Sequence, residues 1–136
     1  MAQIAVQPIT LKNVLLTLGV NSFEKHVSSV EFVPSAASTT WKGLTPDSIF
    51  TDVQTATWVC NLGFAQDWAT VDSLSAYLFG NEGETIAATF QPVAGGAGFT
   101  ANLVITPGSI GGTVDSTAVS TVSLGCQGKP VLVPAV

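Results

Sequence analysis

Thr57-Trp58-Val59-Cys60-Asn61-Leu62-Gly63-Phe64 is the stretch that decides how this chain folds. It alternates with period two, which puts Trp58, Cys60, Leu62 and Phe64 on one face of a strand. Working outward, Thr55 to Val93 reads as strand, loop, short helix, loop, strand. Asp67-Trp68-Ala69-Thr70 is a polar-led turn with two candidate helix N-caps, Asp67 and Thr70. Val71, Leu74, Tyr77 and Leu78 then recur at helical spacing, and Gly80-Asn81 is a plausible helix stop. Ile86, Ala88 and Phe90 resume period two, with Thr85, Ala87, Thr89 and Gln91 opposite. The helix is expected to lie over a sheet whose apolar face carries Trp58, Leu62, Phe64, Ile86 and Phe90, and to be the only substantial helix.

On the N-terminal side, residues 1–8 read as an apolar arm. Ile9 and Leu11, then Val14, Leu16, Leu18 and Val20, predict a long first strand, with a hairpin turn at Gly19-Val20-Asn21-Ser22. Val27 to Val33 reads as the return strand, and its broken alternation at Ser28-Ser29 predicts a β-bulge. From Pro34 the pattern disappears, and about residues 34–54 read as one long loop. Long structureless loops are uncommon in compact domains. Trp41 and Leu44 inside it would be unfavourable in water, so they are expected to dock, on their own domain or on a neighbour.

On the C-terminal side, Phe99, Ala101, Leu103 and Ile105 share a face, as do Val122, Leu124 and Cys126. Ile110 to Val114 reads as a short segment with glycines that suit a bulge, and Val131-Leu132-Val133 as a last short strand. About seven strands and one helix make a mainly β protein, a β-sandwich or partly closed barrel with one flanking α-helix. Residues 1–136 fit a single domain.

The composition is unusual in its charge. Charged residues make up 10%, against about 25% in an ordinary soluble domain. Surface so poor in charge points to polar uncharged cover combined with obligate subunit contacts, since such contacts are depleted in charge. The four basic residues are all lysine and the net charge is −5. Nucleic-acid binding that relies on Lys and Arg at phosphates and on Arg at guanine is therefore disfavoured. The N-terminus has no positive region of a secretory signal, and Val14 to Val20 is too short for a membrane span, so folding in a reducing cytosol is expected. Cys60 and Cys126 are expected to be buried free thiols.

Residues that could carry chemistry do not assemble into a site. His26 is the single histidine. Ser28 and Ser29 lie near it on the same strand, where neighbours cannot form a triad. One histidine and two distant cysteines give no zinc spacing. Asp47/Asp52 and Glu82/Glu84 are the close acidic pairs, and both sit in loop-like sequence. Gly96-Ala97-Gly98-Phe99-Thr100-Ala101 matches a dinucleotide fingerprint in letters but precedes a strand, so its phosphate-cradling geometry fails. Gly125 to Pro130 is too short for a P-loop. No catalytic, cofactor or metal residues are expected, and the chain reads as a non-enzyme.

The order of elements carries a resemblance. A strand hairpin is followed by a long loop with Trp41, the strand Thr57 to Phe64, and Asp67-Trp68 leading into Leu74-Tyr77-Leu78-Phe79. The strand Ile86 to Pro92 comes next, then the closing Gln127-Gly128-Lys129-Pro130. This resembles the major tail protein, or tail tube protein, of long non-contractile-tailed bacteriophages, in wording closest to those of actinobacterial siphophages. The strongest local matches are Asp67 to Phe79 with Thr85 to Pro92, and the closing Gln127 to Pro130.

The resemblance implies a virion structural protein of the tail, assembled in the host cytoplasm without a membrane or cofactor. Hexameric rings would stack into a tube around a tape-measure protein, bounded by tail-terminator and tail-tip proteins, and the genome would pass through without specific binding. It implies that the long loop, with Trp41, Lys42, Gly43 and Leu44, and the chain termini bridge neighbouring rings. It also implies an acidic lumen, to which Glu24, Glu31, Asp52, Asp67, Asp72, Glu82, Glu84 and Asp115 are the available contributors, without saying which. The chain is short for the family, so no added outer domain is expected. Two alternatives stand beside this reading: another virion ring or decoration protein, and a carbohydrate- or ligand-binding β-sandwich with Trp41 or Trp68 exposed for stacking.

Overall fold

A computed structural model describes residues 2–135. In chain order the first five strands are β1 (Leu15–Leu18), β2 (Asn21–Ser22), β3 (Val27–Ser35), β4 (Ser38–Lys42) and β5 (Ile49–Val53). Strand β6 (Thr57–Ala65) precedes helix α1 (Leu74–Gly80), and β7 (Thr85–Gln91), β8 (Gly98–Val104), β9 (Val119–Cys126) and β10 (Val131–Val133) complete the chain. The main sheet runs β2-β1-β7-β8-β9-β6-β3, antiparallel throughout, with β10 paired to β8.

This sheet wraps on itself. Inward side chains of β1, β6, β7, β8 and β9 enter a single core with Leu74 and Leu78 of α1. Phe32 of β3 and Phe90 of β7 lie far apart in strand order, yet their rings meet at 5.9 Å. The turn of the sheet comes at the end of β9. That strand pairs with β6 from Val119 to Gly125, and then Gly125 and Cys126 cross to β8. The path stays open, with β2 and β3 as its ends. The expected mainly β sandwich with one flanking helix is what forms.

The predicted core faces are largely the observed ones. Leu62, Phe64, Phe90, Leu103, Ile105, Val122 and Leu124 are buried, and Trp58 and Ile86 are half-buried. The predicted bulge is present as a register shift at Val27/Ser29 against Phe64/Gly63. Gly63 lets the bulge pack closely there: a Cβ on it would meet the Ser29 hydroxyl at 2.6 Å and make that hydroxyl turn away.

Several elements differ from the sequence reading. The first strand is short, because β1 starts only at Leu15, opposite Gln91. One residue further, β7 runs into Pro92, which has no N–H for the ladder. The return strand of the first hairpin is β2 alone. Gly19, at φ +63°, makes the turn, and Phe23 then plunges into the core. Strand β3 pairs with β6 instead. The helix cap is neither Asp67 nor Thr70 but Ser73, whose Oγ accepts from the Ala76 N–H at 3.3 Å and donates to the Asp67 carbonyl at 2.5 Å. Asp67 organises the preceding turn, its carboxylate accepting from the N–H groups of Ala69 and Thr70 at 3.0 and 3.1 Å. Asp72, at φ +64°, then reverses the chain and leaves Val71 in solvent.

Residues 110–114 are not a strand. They belong to a crossover pinned by Gln66, whose Nε2 donates to the carbonyls of Gly111 and Val119 and whose Oε1 accepts from the Gly111 N–H. The largest correction concerns residues 34–54. They are no loop: β3 runs through Pro34 to Ser35, and β4 and β5 form a two-stranded sheet of their own.

Candidate functional site

A strand pair becomes regular when β-branched and aromatic residues face each other across a ladder. Thr39, Thr40 and Trp41 of β4 meet Asp52, Thr51 and Phe50 of β5 in antiparallel register, with Lys42 opposite Ile49 and Ser38 opposite Val53. The rings of Trp41 and Phe50 are 5.7 Å apart and inclined by 38°. The Gln54 N–H donates to the Ala37 carbonyl at 2.8 Å and closes the base. At the far end the Gly43 N–H donates to the Ser48 carbonyl at 2.6 Å, the Thr45 hydroxyl donates to Asp47 Oδ1 at 2.9 Å, and Thr45 also bonds the Ser48 hydroxyl. Gly43 is sterically required here, since a Cβ would meet Ser48 Cβ at 2.7 Å.

The hairpin is well formed and unburied. All ten residues of β4 and β5 are exposed, and Trp41, Phe50 and Val53 each remain 64% accessible. Because the strands alternate, Trp41 and Phe50 mark one face, while Ile49 and Val53 mark the other. The expected interface residues Trp41, Lys42, Gly43 and Leu44 are therefore brought together at the tip, where Leu44 is wholly exposed. Trp41 and Leu44 do not dock on their own domain. Sequence reasoning missed Ile49, Phe50 and Val53. The signal was there: Pro46-Asp47 is a turn, and Ile49-Phe50-Thr51-Asp52-Val53 follows with high β propensity.

Further apolar surface lies at the ends of the chain. Ile4, Val6, Ile9 and Leu11 of the N-terminal segment are exposed, as are Val131, Leu132 and Val133 of β10. Between them, where the wrapped sheet is open, sits a groove of ≈ 790 Å³. Val30, Phe32, Trp58, Phe90, Phe99 and Leu132 form its apolar wall. The charged residues that line it are Glu31 and Lys129.

The remaining polar residues are engaged in structure or lie in solvent, except that His26 Nδ1 is buried without a hydrogen-bond partner. Glu24 Oε2 accepts from the Leu16 N–H at 2.9 Å and satisfies the edge of β1. The Thr70 hydroxyl, with the N–H groups of Thr70 and Ala69, holds the Asp67 carboxyl below the ordinary carboxylate range. Glu31, Asp47, Asp52, Asp72, Glu82, Glu84 and Asp115 are exposed. Ser28 donates to the Gly63 carbonyl at 3.2 Å, and the His26 ring packs edge-on against Phe23 at 5.6 Å, so these residues are not arranged as nucleophile and base. Both cysteines are free. Burial, and next to it the neighbouring Cys126, push the Cys60 thiol up to about 12. Among the described residues, no three His, Cys, Asp or Glu side chains gather as metal ligands, and no helix is long and apolar enough to cross a membrane.

No protein-family model matches this chain, and no curated protein matches it in sequence. Solved structures do match it in fold. It aligns with a chain of the sheath–tube complex of an extracellular contractile injection system (PVC, extended state) at a TM-score of 0.70 and 13% identity, over 94% of this chain and 93% of that one. It aligns with a chain of the virion of a native gene transfer agent particle at a TM-score of 0.66 and 12% identity, over 89% of this chain and 95% of that one. It also aligns with a chain of the tail of an empty gene transfer agent particle, a helical refinement with C6 symmetry, at a TM-score of 0.66 and 12% identity, over 88% and 95% of the two chains. The single sandwich with its one helix is thus a fold shared, over nearly its whole length, with chains of tail and sheath–tube assemblies.

Proposed function

We propose that this chain is the tail tube subunit of a phage-like particle, a virion structural protein that stacks as hexameric rings into a conduit for genome delivery. The observation that carries the reading is the near end-to-end fold likeness to chains of tail and sheath–tube assemblies, one of them refined with C6 symmetry. The sequence resemblance to non-contractile-tailed actinobacterial siphophages favours a tube without a sheath. The exposed hairpin supports obligate assembly, because its aromatic pair has no partner within the chain. In this reading Trp41, Lys42, Gly43 and Leu44 lie at the contact between rings, and the tape-measure, terminator and tip proteins are the other partners. Seven exposed acids and the absence of arginine suit a wall past which phosphates slide instead of binding.

A ligand-binding sandwich would present its stacking aromatics in a concave site with convergent polar groups. Trp41 and Phe50 stand instead on a hairpin exposed along its whole length. Negative-stain electron microscopy across a concentration series tests the proposal. Tubes or stacked rings of uniform width are expected. Closed single rings would move the assignment to a connector or decoration protein, and monomers at every concentration, with or without tape-measure and tip proteins, would overturn it.

A further inference from the structure

We propose that the aromatic surface around Trp68 and Phe79 is a docking site for a different protein, one that presents an apolar segment flanked by lysine or arginine. This surface lies away from the hairpin. Strand β6 receives the hairpin at its N-terminal end and leads to Trp68 at its C-terminal end, and its nine extended residues span about 30 Å. The Trp68 and Phe79 rings meet edge to face at 6.2 Å and 87°, and both stay about half exposed. Gln66 holds Trp68 in place. Its Oε1 accepts from the Trp68 indole N–H at 3.3 Å and from the Gly111 N–H at 2.9 Å. The same side chain thus brings the crossover, with its exposed Ile110, toward Trp68, and Val71 stands exposed on the turn between Trp68 and α1. The indole is oriented before any contact is made, so little freedom is lost when a partner covers it.

Charge sets the partner's chemistry. Asp67 and Asp72 flank Trp68 and Val71 along the chain, and Glu82 follows Phe79 by three residues. From residue 43 to residue 128 the chain contains no lysine, arginine or histidine. The hydrogen bonds from Thr70 and Ala69 keep Asp67 ionised further into acid pH, with His26 adding a small share. A second copy is a weak occupant, because it carries a net charge of −5 and brings carboxylates against carboxylates. A glycan fits no better. Its recognition needs convergent polar groups that are free to hydrogen-bond, whereas Asp67 Oδ1 and both polar ends of Gln66 are already engaged. A basic apolar segment suits both features: its apolar side chains cover the rings, and its cations are drawn to the acidic rim and to the indole face.

Titration with defined probes tests this. The first probe is a fluorescent amphipathic helical peptide of about four turns, with leucine on one face and lysine on the other; the second replaces every lysine with glutamate. Fluorescence anisotropy should show saturable binding of the lysine peptide to the parent protein and none of the glutamate peptide. Trp68→Ser should weaken that binding roughly tenfold, and Val71→Ser and Glu82→Lys should each weaken it several-fold. Val71 and Glu82 are exposed, so these two variants keep the test valid where Trp68→Ser disturbs the fold. Trp41→Ala should leave the binding unchanged, and Val71→Ser should leave tubes unchanged in electron microscopy. Equal affinity in every variant would mean that the peptide adheres to acidic surface at large and would overturn the site, as would an absence of binding. Displacement of the peptide by a neutral oligosaccharide would reassign the surface to glycans. Loss of tubes in Val71→Ser and Glu82→Lys, at the parent's melting temperature, would give the surface to a second copy and overturn the proposal. Whether the parent itself forms tubes decides the tail-tube reading separately.

Discussion

Strand β6 and the β4–β5 hairpin use the same ladder and similar residues, and they end in opposite environments. Strand β6 is paired on both sides, by β3 and β9, and its Cys60, Leu62 and Phe64 are at most 2% exposed. Strands β4 and β5 pair only with each other, and Trp41 and Phe50 stay 64% exposed. A cross-strand aromatic pair and a closed turn suffice to shape a hairpin. They do not supply the burial that makes a strand pair stable in isolation, where two strands alone are marginal in water. One chain thus holds a finished core and an unfinished contact, and that contrast points to assembly.

The contrast breaks most sharply at the core. Leu78→Ala, at a fully buried position of α1 facing the sandwich, should cost about 2–5 kcal/mol in chemical denaturation. A cost under about 1 kcal/mol would mean that the helix is not part of the sealed core. Trp41→Ala should do the reverse. The monomer's melting temperature should stay within about 1 °C of the parent, since little buried area is lost. The concentration needed for tubes should rise by roughly 30-fold, as expected for a central aromatic worth about 2 kcal/mol. Tubes as long and stable as the parent's would remove Trp41 from the interface.

Smaller effects sharpen the border between the regions. Ser73→Ala removes the helix cap, and a loss of about 1 kcal/mol, with assembly unchanged, is expected in the same denaturation assay. Asp67 gives a signed pH dependence. Its carboxyl is held below the ordinary 3.8 by the Thr70 hydroxyl and by the Thr70 and Ala69 N–H groups. A depressed carboxylate stabilises the fold above its unfolded pKa, and that contribution disappears as pH falls through the folded value. The stability difference between parent and Asp67→Asn should therefore be flat from neutral pH down to about 5 and shrink below it. A difference that persisted unchanged to pH 2 would show that the turn does not depend on the carboxylate charge.

Much of the sandwich was readable because one-sided burial writes itself into sequence with period two. Cys60, Leu62 and Phe64, and Ala88 and Phe90, alternate because one face meets the core and the other does not. The hairpin was unreadable for the same reason. With Trp41 and Phe50 on one face and Ile49 and Val53 on the other, apolar residues do not alternate with polar ones, and the stretch passed for loop. Trp41 and Leu44 could still be named, because a Trp and a Leu three residues apart in polar sequence need a partner whatever their backbone does. The cap was misplaced for a local reason: Asp67, Thr70 and Ser73 all suit the position, and only the left-handed Asp72 determines which one starts the helix.

The sequence by itself determined the main strand faces, the bulge at Ser29, the helix and the low charge. These follow from local periodicity and from residue chemistry, which need no knowledge of neighbours in space. Only the tertiary structure decided that β3 leaves β1 to pair with β6, and that Gly125-Cys126 carries the sheet round onto β8. It alone showed that residues 38–53 stand as a hairpin outside the core. Strand partners are chosen by long-range burial, and a strand buried on neither face keeps its ladder while leaving no periodic trace in the chain.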